Sequence, residues 1–228
     1  MTVGKMQSRD RSAKYSCPLC GSLETEFYHE DRKREFYLCE NCKLIFVPEK
    51  YFLSQKDEKA RYDLHRNTPG NKGYVNFLSR LLFFMGKVVP KGSKGLDFGS
   101  GPEPVLARMF SEAGYPVSTY DLYYSSDTSV FKEKYDFITI AEVIEHLGKP
   151  EKEMKMLWNC LNKGGWLGIM TKFYPLAKVE FAYWSYKNDL THVCFFSERS
   201  MNWLASELNA ELNFADLDII LLNKRDGS

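Results

Sequence analysis

Two groups of residues in this 228-residue chain have the types and spacing that chemistry requires. The first is Cys17, Cys20, Cys39 and Cys42, in the knuckles "CPLC" and "CENC". Each Cys-x-x-Cys offers two sulfurs from one tight turn, and the stretch between them is long enough for a β-hairpin to bring the turns together. Four thiolates so arranged suit tetrahedral Zn²⁺. A redox motif would need only one pair, and disulfides do not fit a chain without an export signal. Cys160 and Cys194 stand apart from the knuckles; Cys194 lies in an apolar run and reads as a buried, inert thiol.

The second group lies in "ITIAEVIEHLGKP", residues 138–150. Glu142, Glu145 and His146 follow an apolar run that reads as a buried strand. They stand three and four apart, so one helical turn would put them on one face. They could hold a metal ion, meet a cofactor, or only finish a turn. A metal would need a further ligand, and "NDLTHVCFF" supplies His192. Two carboxylates and two imidazoles make a mixed O/N set suited to a divalent ion such as Mg²⁺ or Mn²⁺. Without metal, Asp189 could orient the His192 imidazole as a general base.

The elements that must position these residues follow a βα rhythm from residue 94. "KGLDFGSG" is a strand running into a glycine turn, and "PVLARMFSEAG" is a helix stopped at Gly114. "PVSTYD", "YDFITIAEV" and "WLGIMTK" read as strands, "EKEMKMLWNCLNKGG" as a helix with a Gly-Gly stop, and "SERSMNWLASEL" as a helix capped by Ser197. The tail reads as two last strands. This alternation implies an α/β fold, a Rossmann-like, doubly wound, mostly parallel sheet. Between Asp121 and Tyr135 the chain is too short for a helix-strand-helix, so that edge should be abbreviated. The expected organisation is a disordered lead-in over residues 1–14, a zinc ribbon over 15–48, a helical linker and cap over 49–93, and a cofactor-binding domain over 94–228. The aromatic stretch "KFYPLAKVEFAYWSYKND" is too long for a plain connection. It is either a lid presenting Tyr183, Trp184 or Tyr186 to a substrate, or a packing flap.

"LDFGSG" sets Asp97, Gly99 and Gly101 where strand gives way to helix, letting backbone approach a ligand beside unpaired helix N–H groups. About 20 residues further on, Asp121 ends the next strand, placed to accept from a ribose. A dinucleotide site would carry a third glycine where Pro104 stands. Taken together, "GLDFGSGP", "YD", "YDFITIAEVIEHL" and "LNKGGWLGIMT" resemble, in order and spacing, the motifs of class I S-adenosylmethionine-dependent methyltransferases. The likeness covers about residues 60–223, and the chain with its four-cysteine ribbon resembles a set of uncharacterised bacterial methyltransferases. The resemblance implies a cofactor cleft built from Asp97, Gly99, Ser100, Gly101, Asp121, Leu122, Ala141, Glu142 and Tyr74. It implies His192 and Asp189 at the substrate end. Glu-x-x-Glu-His with a later His is similar to the metal centre of small-RNA 3′-terminal 2′-O-methyltransferases, which implies a metal-assisted O-methyltransferase. Asp127 is the one nearby stand-in for an acid that usually contacts the adenine.

Composition excludes little beyond this. The net charge of +1 gives no electrostatic case for a nucleic-acid or membrane partner. No run approaches the roughly 20 apolar residues of a membrane span. The polar start lacks the apolar core of a signal peptide, so a cytoplasmic protein is expected. Two rival readings are a ribbon-based binding or regulatory module with an inactive body, and an RNA-modifying enzyme whose ribbon recruits RNA. Substrate, methylated atom and oligomeric state are not encoded in any motif.

Overall fold

The computed structural model describes residues 14–64 and 67–225, so the expected lead-in lies, except for Lys14, outside the described residues. Strands β1 (Thr25–Glu30) and β2 (Glu35–Cys39) form an antiparallel hairpin, and the short β3 (Ile45–Phe46) pairs with β2. Helix α1 (Gln55–Tyr62) starts where the Ser54 side chain accepts from the Asp57 N–H, a standard N-cap. Helix α2 (Lys72–Val88) starts likewise on Asn71, which accepts from the Tyr74 N–H.

The body then alternates as its pattern demands. In chain order come β4 (Gly95–Phe98), α3 (Val105–Glu112), β5 (Val117–Tyr120), β6 (Tyr135–Ala141), α4 (Pro150–Cys160) and β7 (Leu161–Met170). They are followed by α5 (Lys178–Tyr183), β8 (Cys194–Phe195), α6 (Glu198–Glu207), β9 (Ala210–Asp216) and β10 (Ile219–Lys224). The main sheet runs β5-β4-β6-β7-β10-β9, with the first four strands parallel and β10 antiparallel to both neighbours. Between Asp121 and Tyr135 there is only a helical turn at Thr128–Lys132, so β5 is the edge strand and that side of the sheet is abbreviated as expected. Leu78, Leu81 and Met85 line one face of α2, at three- and four-residue steps, and pack with Met170, Ile219 and Leu221. Gly168 permits that contact, because a Cβ there would lie 2.6 Å from the Met85 sulfur. No described helix is long and apolar enough to cross a membrane.

One expectation needs correction. Helix α4 stops at Cys160, not at Gly164–Gly165, and Leu161 is already extended at φ −77° and ψ 139°. The reason is pairing: Leu161 lies opposite Tyr135 while Trp166 lies opposite Phe137, so "NKGG" becomes a bulge within β7. The ribbon is an N-terminal appendage, as expected, and one edge of it is completed by the body. Its sheet runs β1-β2-β3-β8, and Ile45 and Phe46 pair with Phe195 and Cys194 from the far end of the chain. The aromatic flap after β7 anchors there, with the buried Phe181 ring edge-on to Tyr28, Phe36 and Phe195.

Candidate functional site

The carboxyl ends of β4, β5 and β6 open onto a cleft of about 790 Å³, at the sheet edge where open α/β folds bind ligands. The turn after β4 forms one wall. Gly99 has φ +79°, and a Cβ on it would lie 2.4 Å from the Val143 side chain, so only glycine lets the two βα turns touch. Gly101 has φ +70°. The neighbouring Ser100 Oγ is buried without a hydrogen-bond partner among the described residues, beside the cleft.

Asp97 does not reach the cleft wall as the resemblance implied. It is 3% exposed, its Oδ1 accepts from the Thr139 hydroxyl at 2.8 Å, and it also accepts from the Ala107 N–H. Helix α3 has Pro104 at its cap position with no side-chain hydrogen bond, so Asp97 acts as a cap supplied from the adjoining strand. Asp121 does line the cleft. Its Oδ2 accepts from the Gly101 N–H at 2.9 Å, and its Oδ1 from the N–H groups of Tyr123 and Tyr124 at 2.8 and 3.2 Å. A carboxylate has about four acceptor positions, so Asp121 ties down both loops and keeps capacity for a further donor. Tyr74, Leu122 and Ala141 also line the cleft. The Asp127 carboxylate is exposed and accepts from the Ser129 N–H and hydroxyl.

The acidic end of β6 forms the opposite wall. Glu142 sits at φ +54°, a left-handed conformation uncommon outside glycine. Its Oε1 is buried without a partner among the described residues. Glu145 is fully buried and accepts from the hydroxyls of Thr171, at 3.0 Å, and Tyr186. Burial raises both carboxyls well above the usual range, and the charge of Glu145 adds to the push on Glu142.

His146 and His192 face one another with ring centroids 4.6 Å apart, and both line the cleft. His146 Nδ1 lies 3.1 Å from the Thr191 carbonyl, and His192 Nδ1 lies 2.8 Å from the Tyr186 carbonyl. A carbonyl only accepts, so each Nδ1 carries a hydrogen. The partner that orients His192 through Nδ1 is therefore a backbone carbonyl, not the Asp189 carboxylate. Asp189 instead accepts from the Thr191 N–H and hydroxyl and pairs with Arg61 at 3.3 Å. Burial pushes its carboxyl up, but those donors, His192 and Arg61 outweigh it and hold Asp189 at about 2.

Donor atoms of Glu145, His146 and His192 lie within 4.8 Å of one another, but Glu142 is not among them. Three of the four expected ligands converge, then, and the fourth does not. The flap brings Tyr186 against His192, ring centroids 4.2 Å apart, while Trp184 packs on Phe195 and Tyr183 points outward. Of the three aromatics Tyr186 alone bonds Glu145, through its hydroxyl. Nothing in the spacing of residues 145 and 186 announces that bond.

Outside the cleft lining, the four knuckle sulfurs converge within 4.8 Å, with Cys17 to Cys42 at 3.5 Å and Cys20 to Cys39 at 3.4 Å. Those separations approach the sulfur–sulfur edge of a tetrahedron with metal–sulfur bonds of about 2.3 Å. Cys194 is fully buried, and burial raises its thiol well above the ordinary value, in keeping with an inert group.

The family model for a methyltransferase domain matches residues 70–213. The chain belongs to that family. It is a methyltransferase with the class I mixed α/β sheet. Among solved structures, phosphoethanolamine N-methyltransferase 2 from Haemonchus contortus, in complex with S-adenosyl-L-methionine, is similar at TM-score 0.50 and 17% identity, over 74% of this chain and 48% of that one. A candidate methyltransferase from Bacillus halodurans is similar at TM-score 0.49 and 18% identity, over 60% of this chain and 67% of the other. Magnesium protoporphyrin IX methyltransferase from Synechocystis PCC 6803, with bound SAH, is similar at TM-score 0.48 and 12% identity, over 77% and 97%. No curated protein matches the chain in sequence.

The Asp97 cap carries a pH signature. Burial pushes its carboxyl up to about 6 from 3.8, against the opposing pull of the Thr139 hydroxyl and the Ala107 N–H. A carboxyl raised in the folded state keeps its proton where the unfolded chain has lost it. Its contribution to stability is therefore present below about pH 4, falls as pH rises to about 6, and is level above. The shift corresponds to about 3 kcal/mol. Urea unfolding across that window should show this decline in the parent protein and its removal in Asp97→Asn; parallel curves would contradict it.

Proposed function

We propose that this methyltransferase uses S-adenosylmethionine to methylate a hydroxyl of a small-molecule acceptor in the cytoplasm. One observation carries the reading: a single cleft joins the Gly99–Gly101 turn and Asp121 at one end to the paired His146 and His192 imidazoles at the other. The cofactor supplies a methyl group on a sulfonium. The chain's own residues position and dehydrate. Asp121 accepts from the ribose, and the buried Ser100 hydroxyl and α3 N-terminus meet the polar end. His192 Nε2 takes the proton from the acceptor, its ring held by the Tyr186 carbonyl through Nδ1. An RNA acceptor is the runner-up, and the near-neutral charge gives it no support.

Calorimetry tests the cofactor assignment without a known acceptor. Asp121→Asn should weaken S-adenosylmethionine binding by about 1–3 kcal/mol, on the order of a 5- to 150-fold loss. Equal affinity would take Asp121 out of the ribose site.

A second reading rests on the convergence of Glu145, His146 and His192. A divalent ion there would let the buried Glu145 ionise and would lower the pKa of an acceptor hydroxyl. Titration with Mn²⁺, followed by electron paramagnetic resonance, should give one site per chain that Glu145→Gln removes. If Mn²⁺ stays free in the parent protein, His192 acts without metal.

We also assign Zn²⁺ to Cys17, Cys20, Cys39 and Cys42, as a structural tetrahedral site whose thiolates suit a reducing compartment. Purified protein should hold near one zinc per chain, and Cys39→Ser should lower that content. Full zinc retention in the variant would refute the site.

A further inference from the structure

Arg34 lies in the turn between β1 and β2, remote in sequence from every residue of the cleft, yet it is 1% exposed. Its backbone is set by the hairpin itself. The Asp31 carboxylate accepts from the N–H groups of Lys33 and Arg34 at 2.7 and 2.8 Å, and the Arg34 carbonyl accepts from the Asp31 N–H at 3.0 Å. From that anchor the side chain enters the methyltransferase body and ends among main-chain carbonyls. Nη1 donates to Leu190 O at 3.2 Å and His192 O at 2.7 Å; Nη2 donates to Asp189 O at 2.6 Å and to Lys187 O.

These four carbonyls belong to the segment that carries His192. The helical turn Ser185–Asn188 ends there, and its last carbonyls have no partner within so short a helix. Buried carbonyls without donors are costly, and one planar guanidinium supplies four donors at once. A lysine ammonium has three donors on a single atom and cannot reproduce that fork. The residue next to that segment orients the ring, because Tyr186 O accepts from His192 Nδ1 and the Tyr186 ring packs on the imidazole. Arg34 thus clamps the loop from Lys187 to His192, and the residue just before it, Tyr186, bonds the His192 ring through Nδ1.

We infer that Arg34 is a positioning residue for methyl transfer: the ribbon holds the Lys187–His192 segment through its guanidinium and so fixes the direction of His192 Nε2. This rests on the reading of His192 as the group that faces the acceptor. It makes the ribbon a part of the catalytic wall. Loss of the guanidinium would release the loop without disturbing Asp121 at the other end of the cleft.

The test uses the full chain, its zinc complement and ¹⁵N-labelled histidine at one fixed pH. In the parent protein the His192 ring should show the nitrogen shifts of a single tautomer protonated at Nδ1, assigned by their loss in His192→Gln. Arg34→Met should keep near one zinc per chain and bind S-adenosylmethionine within about two-fold of the parent. Its His192 signals should move toward the average of exchanging tautomers. Millimolar guanidinium, which fits the vacated carbonyl cage, should restore the parent shifts in Arg34→Met, a rescue that a merely structural role would not give. Should Arg34→Met fail to fold, Arg34→Lys carries the measurement, with an intermediate displacement expected. A folded, zinc-loaded Arg34 variant with unmoved His192 signals overturns the inference. Absence of S-adenosylmethionine binding in the parent would overturn the proposed function instead.

Discussion

A buried carboxylate at the end of β4 is the constraint on which the cleft depends. Asp97 accepts from Thr139 on β6 and from the first turn of α3, so one side chain joins two adjacent strands and the helix that follows the glycine turn. Burying a carboxyl is unfavourable unless donors replace water. Here the donors are the groups whose relative positions shape that wall of the cleft. Gly99 is then free to take φ +79° and sit against Val143, and Gly101 can present its N–H to Asp121. Each later contact presupposes that the first turn of α3 is held against β4.

The opposite wall is built by a different route. Charge collects at the end of β6, where Glu142 adopts a strained backbone and Glu145 is fully buried. Such an arrangement persists only when its surroundings over-determine it. The surroundings come from three distant segments: Thr171 after β7, Tyr186 in the flap, and the His192 loop. Glu145 also accepts from the Val193 N–H through its own carbonyl, so the acidic turn and the His192 loop are stitched along the main chain as well.

The ribbon enters this picture as structure shared with the body. A two-residue strand, β8, extends its sheet, and the aromatic cluster around Phe181 fills the joint. Lys43 O accepts from both Tyr174 and Ser197, so the second knuckle also holds the flap and the start of α6. Closing the knuckles would thus rigidify more than the hairpin that contains them.

What the sequence alone determined was everything carried by local pattern. The βα alternation, the Ser197 cap, the abbreviated edge after Asp121, the paired knuckles and the strand-glycine-helix turn all depend on residues close in the chain, and all are found where the text places them. Local pattern failed where a long-range partner overrode it. The Gly-Gly pair reads as a helix stop, but pairing with β6 drew residues 161–165 into the strand. Only the tertiary structure decided which carboxylates share a site: Glu145 gathers with the two imidazoles, and Glu142, at a left-handed backbone, is not in that set. Asp97 was moved from the cleft to a helix cap for the same reason: its orientation follows from the donors that packing presents, not from its place in the motif. Arg34 is the clearest case. Nothing in "HEDRKRE" separates it from the other basic residues of the turn. Its burial exists only because folding brings four main-chain carbonyls, more than 150 residues away in the chain, to the end of its side chain.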